Sequence, residues 1–159
     1  MTKDVQIVGL RIGQETYGVP ISLVREIVRV PEITAVPNAQ QYVEGVINLR
    51  GKVISVVDLR KRFGETNLEA GKKNRIVVVE LQSRTVGLIV HSASEVLKIP
   101  PSDIEPPGSV FLNAENDYVT GVGKLNNRLV ILIDLNKLLS KSELRHLDEI
   151  HAPVAEHLV

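Results

Sequence analysis

Val43 to Phe63 reads VEGVINLRGKVISVVDLRKRF, and Val119 to Leu139 reads VTGVGKLNNRLVILIDLNKLL. The two stretches align without a gap at an offset of 76, and they match at Val43/Val119, Gly45/Gly121, Val46/Val122, Leu49/Leu125, Asp58/Asp134, Leu59/Leu135 and Lys61/Lys137. Each holds two apolar, β-branched runs around a short polar centre, Arg50-Gly51 in one and Asn126-Asn127 in the other. Gly and Asn tolerate left-handed backbone, so both centres read as tight hairpin turns. Each hairpin ends in an Asp, Asp58 or Asp134, placed to cap a short helix. An internal repeat of this kind marks one supersecondary unit used twice.

The repeat extends upstream. Ile7, Val8, Leu10 and Ile12 align with Ile76, Val77, Val79 and Leu81 at an offset of 69, which also pairs Gly18/Gly87, Glu26/Glu95, Arg29/Lys98 and Pro31/Pro100. The offset grows because the second copy carries the longer Pro-rich loop, Pro100 to Gly108. Each copy therefore offers several short strands with turn signals between them, the pattern of a small β-barrel or sandwich. The equivalent strands near Val5 and Arg75 are free to complete either barrel, so intertwined barrels are allowed.

Between these anchors the reading is coarser. Gly13 to Gly18 reads as turn chemistry. Ile21, Val24 and Ile27/Val28 fall at helical spacing after Pro20, so a short helix is expected there. Asn38 to Val43 reads as a helical turn, Glu65 to Asn74 as a loop, and Ser92 to Ile99 as a strand. Ser140 with Glu143 makes a capping-box pattern ahead of Leu144, Leu147 and Ile150, predicting a C-terminal helix over 141–150.

Composition narrows the function. Nineteen basic and nineteen acidic residues give a formal net charge of zero, which weighs against a partner held through nucleic-acid phosphates. Three Tyr, two Phe and no Trp leave little to stack on bases. Without cysteine there is no disulfide framework, thiolate metal site or cysteine nucleophile. No apolar run reaches transmembrane length, and the start MTKDVQIVGLRIG does not read as a signal peptide. A soluble cytoplasmic protein is expected.

Catalytic patterns are weak. His146 and His151 have the wrong spacing for a metalloprotease pair, and His91 ends a strand with no obvious partner. Asp58 and Asp134 read as caps rather than as an acid–base pair. No catalytic residue, metal ligand or cofactor is assigned. Arg50 reads either as a solvated turn residue or as a planar donor to a partner's carboxylate or amide. Glu26 reads either as a surface residue or as a polar contact inside an apolar interface formed with Val24 and Ile27. Arg60, Lys61 and Arg62 read as complements to a helix dipole.

At GVINLRGKVISVVDLRKRFG, Gly45 to Gly64, the chain resembles the CheW family of bacterial chemotaxis coupling proteins. The Tyr17-Gly18 turn, the VREI segment, TVGLIV with SASEVL after it, and the closing LVILIDLNKLL extend the likeness over most of the chain. Ser55 departs from it, standing where the family often has proline. The resemblance implies an all-β fold with short helices, built as two SH3-like five-stranded β-barrels, partly intertwined. Within a single domain, 1–159, the expected division is sub-barrel one over 13–81 and sub-barrel two over 1–12 plus 82–140.

The resemblance further implies a non-enzymatic adaptor that couples the cytoplasmic tip of a methyl-accepting chemotaxis receptor to the regulatory domain of the histidine kinase CheA. CheW–CheW ring contacts, recruitment to membrane receptor arrays without membrane insertion, and no nucleic-acid partner follow. Residue by residue, Arg50 matches an arginine implicated in receptor contact, Glu26 a glutamate at a partner surface, and Val24 and Ile27 aliphatic contact neighbours. Gly45, Gly51 and Gly87 match kept glycines, read as backbone requirements as much as contacts. The alternatives are an adaptor of another chemosensory pathway, such as pilus motility, or a small β-barrel enzyme or nucleic-acid binder.

Overall fold

The structure is a computed structural model that describes residues 3–37, 43–65, 71–108 and 117–139. The expected helical turn over 38–43 lies outside the described residues except for Val43, which is strand; the centre of the loop after Glu65 and the C-terminal helix also lie outside them.

The first copy supplies strands β1 (Val5–Ile12), β2 (Glu15–Pro20), β3 (Val24–Arg29), β4 (Val43–Leu49) and β5 (Lys52–Asp58), then helix α1 (Leu59–Arg62). The second supplies β6 (Arg75–Leu81), β7 (Arg84–Val90), β8 (Ser92–Ile99), β9 (Ile104–Glu105), β10 (Val119–Leu125) and β11 (Arg128–Ile133), then α2 (Leu135–Leu138). One sheet runs β3-β6-β7-β5-β4, and the other runs β8-β1-β2-β11-β10-β9. The first closes on itself through Thr34 and Val46, which exchange both backbone hydrogen bonds at 2.9 Å. In the second, β9 against β10 does the same work. The architecture is two β-barrels, as the repeat implies.

Their composition corrects the expected division. Barrel one is β3, β4 and β5 of the first copy with β6 and β7 of the second; barrel two is β1 and β2 with β8 to β11. Glu15–Pro20 therefore belongs with barrel two rather than within 13–81, and Arg84–Val90 with barrel one rather than within 82–140. The leading hairpin of each copy moves whole into the other barrel. The reason is local: Gly13 and the Gln82-Ser83 turn carry positive φ, and a two-residue turn of this twist holds its strands as neighbours. The turn read into Gly13–Gly18 shrinks accordingly, and Glu15–Pro20 is strand.

A second correction concerns the segment after Pro20. Only Ile21–Leu23 is helical, as one 3-10 turn, and Val24–Arg29 is a strand paired with β6. A register shift between Val24 and Glu26 places one extra residue on β3, and such a bulge turns a period-two pattern into apparent helical spacing. The Pro-rich loop likewise contains a 3-10 turn, Pro101–Asp103, and the short β9.

The largest core lies between the barrels. Val8, Leu10, Ile12 and Val19 of barrel two meet Val57, Val77, Val79 and Leu88 of barrel one, with Leu59, Leu135, Leu138 and Leu139 beside them. Smaller cores fill each barrel, around Ile54, Ile76 and Ile89 in one and Ile7, Ile99 and Val130 in the other. Strand β6 shows why its sequence is a continuous apolar run. Ile76 and Val78 face into barrel one, and Val77 and Val79 face the other barrel, so both faces are buried.

Candidate functional site

The site grows from the β4–β5 turn. Arg50 and Gly51 have φ of 51° and 86°, the left-handed pair that a tight hairpin needs. Glycine adopts this freely, whereas arginine does so at a cost. The turn is held from within: the Gly51 N–H donates to Asn48 Oδ1 at 2.8 Å. Arg50 is thus fixed at the rim of barrel one, with its guanidinium hydrogen-bonded to and ion-paired with Glu26 on β3. The hydrogen bond to Glu26, then its charge, raises the Arg50 pKa further above its already high ordinary value.

Beside this pair Arg25 bridges to Glu80 of β6. A cleft of about 600 Å³ opens between the two ion pairs, with Leu49, Ile54 and Val78 among its lining. It combines charged, paired rims with an apolar floor. No group of three or more potential metal ligands occurs among the described residues.

The other residues singled out in sequence divide by role. Ile27 is 39% exposed and stands opposite Val77, so it prolongs the face of the central core past its edge. Val24 stands opposite Val79 and packs on that core, partly buried. Gly45 has φ 143°, and a Cβ there would lie 2.0 Å from the Thr34 carbonyl oxygen; it permits the bridge that closes barrel one. Gly87 is buried, and its Cβ would meet Ile76 Cγ2 at 2.9 Å. Gly51 faces open space.

Several residues escaped sequence reasoning. Arg60 is buried, not a dipole complement: its Nε and a terminal nitrogen grip Asp58 Oδ1 and Oδ2 at 3.0 and 2.9 Å, and its N–H donates to Oδ1 at 2.9 Å. Asp58 does cap α1, and Asp134 caps α2 through Asn136 and Lys137. His91 has a partner after all, since its Nδ1 accepts the Gly13 N–H at 2.9 Å. Phe63 stacks on Tyr17, with centroids 4.7 Å apart, and meets Tyr118 edge-on at 5.5 Å. Burial, ahead of nearby Tyr118, Glu15 and Glu65, pushes the Tyr17 hydroxyl up to about 12. Burial also raises Tyr118, partly offset by Arg62.

Two β-barrels that exchange hairpins, with an ion-paired cleft at the mouth of one, make a double-barrel scaffold. The chain belongs to the CheW family: the CheW-like domain matches residues 6–143. It is 33% identical over 149 residues to the chemotaxis protein CheW of Treponema pallidum, covering 91% of this chain and 88% of that one. It is 35% identical over 137 residues to CheW of Helicobacter pylori, covering 86% and 82%. The crystal structure of the scaffolding protein TtCheW from Thermoanaerobacter tengcongensis superposes with a TM-score of 0.78 at 38% identity, over 90% of this chain and 96% of that one. No helix among the described residues is long and apolar enough to cross a membrane.

Proposed function

We propose that this chain is a non-enzymatic adaptor of bacterial chemotaxis that joins the cytoplasmic tip of a methyl-accepting receptor to the regulatory domain of CheA. It works in the cytoplasm and is recruited to receptor arrays. The observation that carries this reading is the Arg50–Glu26 pair at the mouth of barrel one. Two opposite charges on stiff elements, 24 residues apart in the chain, give a partner a fixed polar mark beside the apolar Ile27. Val24 sets the position of that strand. Gly45, Gly51 and Gly87 keep the barrel and its turn in shape.

An adaptor acts by geometry. Holding receptor and kinase together raises their effective concentration. The receptor's state reaches the kinase only if the contact differs in free energy between receptor states. Exposed ion pairs are individually weak, so each interface is modest and the array supplies avidity.

The test mixes purified chain, a CheA-type kinase and a receptor fragment. Kinase activity is expected to rise only when all three are present. A kinase stimulated equally without the chain overturns the reading.

A further inference from the structure

Barrel one has a second mouth, at the opposite ends of its strands. There a cleft of about 370 Å³ opens between Arg29 at the end of β3, Arg75 at the start of β6, Lys72 and Arg60, with Ile33 and Ile89 as its apolar floor. The two mouths differ in charge. At the Arg50 end, Arg25 and Arg50 are each matched by a glutamate. At the far end no carboxylate among the described residues lines the cleft. Buried Asp58 neutralises Arg60 from behind, which leaves Arg29, Lys72 and Arg75.

Folding alone does not account for that cluster. Arg29 and Arg75 stand directly opposite each other in the β3–β6 register, where like charges destabilise a sheet. Arg75 is also held in place, since one terminal nitrogen donates to the carbonyls of Lys72 and Asn74 at 2.9 and 2.8 Å. In a chain of zero net charge, three cations gathered on one rim set up a local field that favours an anion.

We propose that this mouth docks an acidic segment of a partner protein. Its carboxylates meet Arg29, Lys72 and Arg75, and an apolar side chain rests on Ile33 and Ile89. The apolar floor decides between occupants. A free phosphate would use the rim and leave the floor wet, whereas a segment alternating acidic and apolar residues uses both. The contact lies at the other end of the barrel from Arg50, so it is a second docking point and goes beyond the adaptor reading.

The test titrates the full chain into a labelled short peptide alternating Glu and Leu, read by fluorescence anisotropy, with a Lys/Leu peptide as control. The Glu/Leu peptide binds, and raising NaCl from about 50 to about 300 mM weakens it several-fold. Arg29→Glu weakens it at least about tenfold while leaving the melting temperature equal or higher, because the cross-strand pair becomes attractive. Lys124→Ala, an exposed site on barrel two, leaves peptide binding unchanged. Equal binding by Arg29→Glu overturns the proposal, as does saturation of the Arg75 resonances by inorganic phosphate or anionic vesicles with no response to the peptide. The readout involves neither kinase nor receptor, so its failure is distinct from failure of the adaptor reading.

Discussion

The Arg62 guanidinium donates to the Leu138 carbonyl at 3.2 Å, and these two residues hold the same place in the two copies of the repeat. The C-terminal ends of the two short helices thus meet, the last carbonyl of α2 receiving a cation from the last residue of α1. The repeat is therefore visible both along the chain and as a local near-symmetry in space.

Arg50→Asp tests the mouth of barrel one. Arg50 is exposed and its partner Glu26 partly buried, and an exposed ion pair adds little to folding, so the melting temperature is expected to stay almost unchanged. Receptor-fragment pull-down is expected to fall strongly. Arg50→Asn separates charge from backbone: asparagine suits the positive φ, so thermal stability holds or rises while pull-down still falls.

Val24 and Ile27 are expected to part company. Val24→Lys drives a charge toward the central core and costs about 1–3 kcal/mol in urea melts. Ile27→Lys, on the exposed side of the edge strand, stays within about 0.5 kcal/mol of the parent and shows its effect in partner binding.

Gly45→Ala is expected to damage barrel closure. The added Cβ runs into the Thr34 carbonyl, and the backbone there has φ 143°. Both terms oppose alanine, and the loss should exceed about 3 kcal/mol by denaturant unfolding. Gly51→Ala, with open space around it, loses only the turn preference, about 1 kcal/mol.

The two capping aspartates give a matched pair. Asp134→Ala removes an exposed cap, worth about 1 kcal/mol. Asp58→Ala removes the same cap and also strands the guanidinium of Arg60, itself only 5% exposed; breaking such a buried pair costs about 3–5 kcal/mol. Chemical denaturation of the two variants side by side is expected to show that gap.

Alkaline pH should loosen the seam. Tyr17 ionises at about 12 in the folded chain against 10.0 in the unfolded one, so the folded state favours the protonated hydroxyl. That preference has no effect below pH 10; as pH rises through the window from about 10 to about 12 the unfolded state ionises first and stability falls. Tyr17→Phe should flatten this part of a stability-against-pH profile. Unchanged curvature would place the titration elsewhere.

The barrels were legible in sequence because the evidence was local and doubled. Hairpin runs, turn residues and capping aspartates recur at fixed offsets, and each needs only its own neighbours to form. What misled was a coincidence of periods. Ile21, Val24 and Ile27 mimic a helix because the bulge at Arg25 inserts an extra residue into a strand whose pairing with β6 is non-local. The ownership of β2 and β7 was hidden for a related reason: the repeat shows which strands are equivalent, but not that each leading hairpin crosses over. Burial of Arg60 depends on tertiary packing around a DLR triplet that reads equally well as a surface helix end. Nor does any local pattern announce the reach of Arg50 to Glu26.

The crossing of the leading hairpins has a mechanical consequence. Strands β6 and β7 are stitched into barrel one while the rest of their copy builds barrel two, and β1 and β2 make the reciprocal stitch. Separating the two copies of the repeat would require tearing the β3–β6, β5–β7, β1–β8 and β2–β11 ladders, whereas the barrels meet through the central core and the chain crossings between them. Neither half of the chain can therefore complete a barrel without the other, and a break in either copy leaves both barrels short of strands.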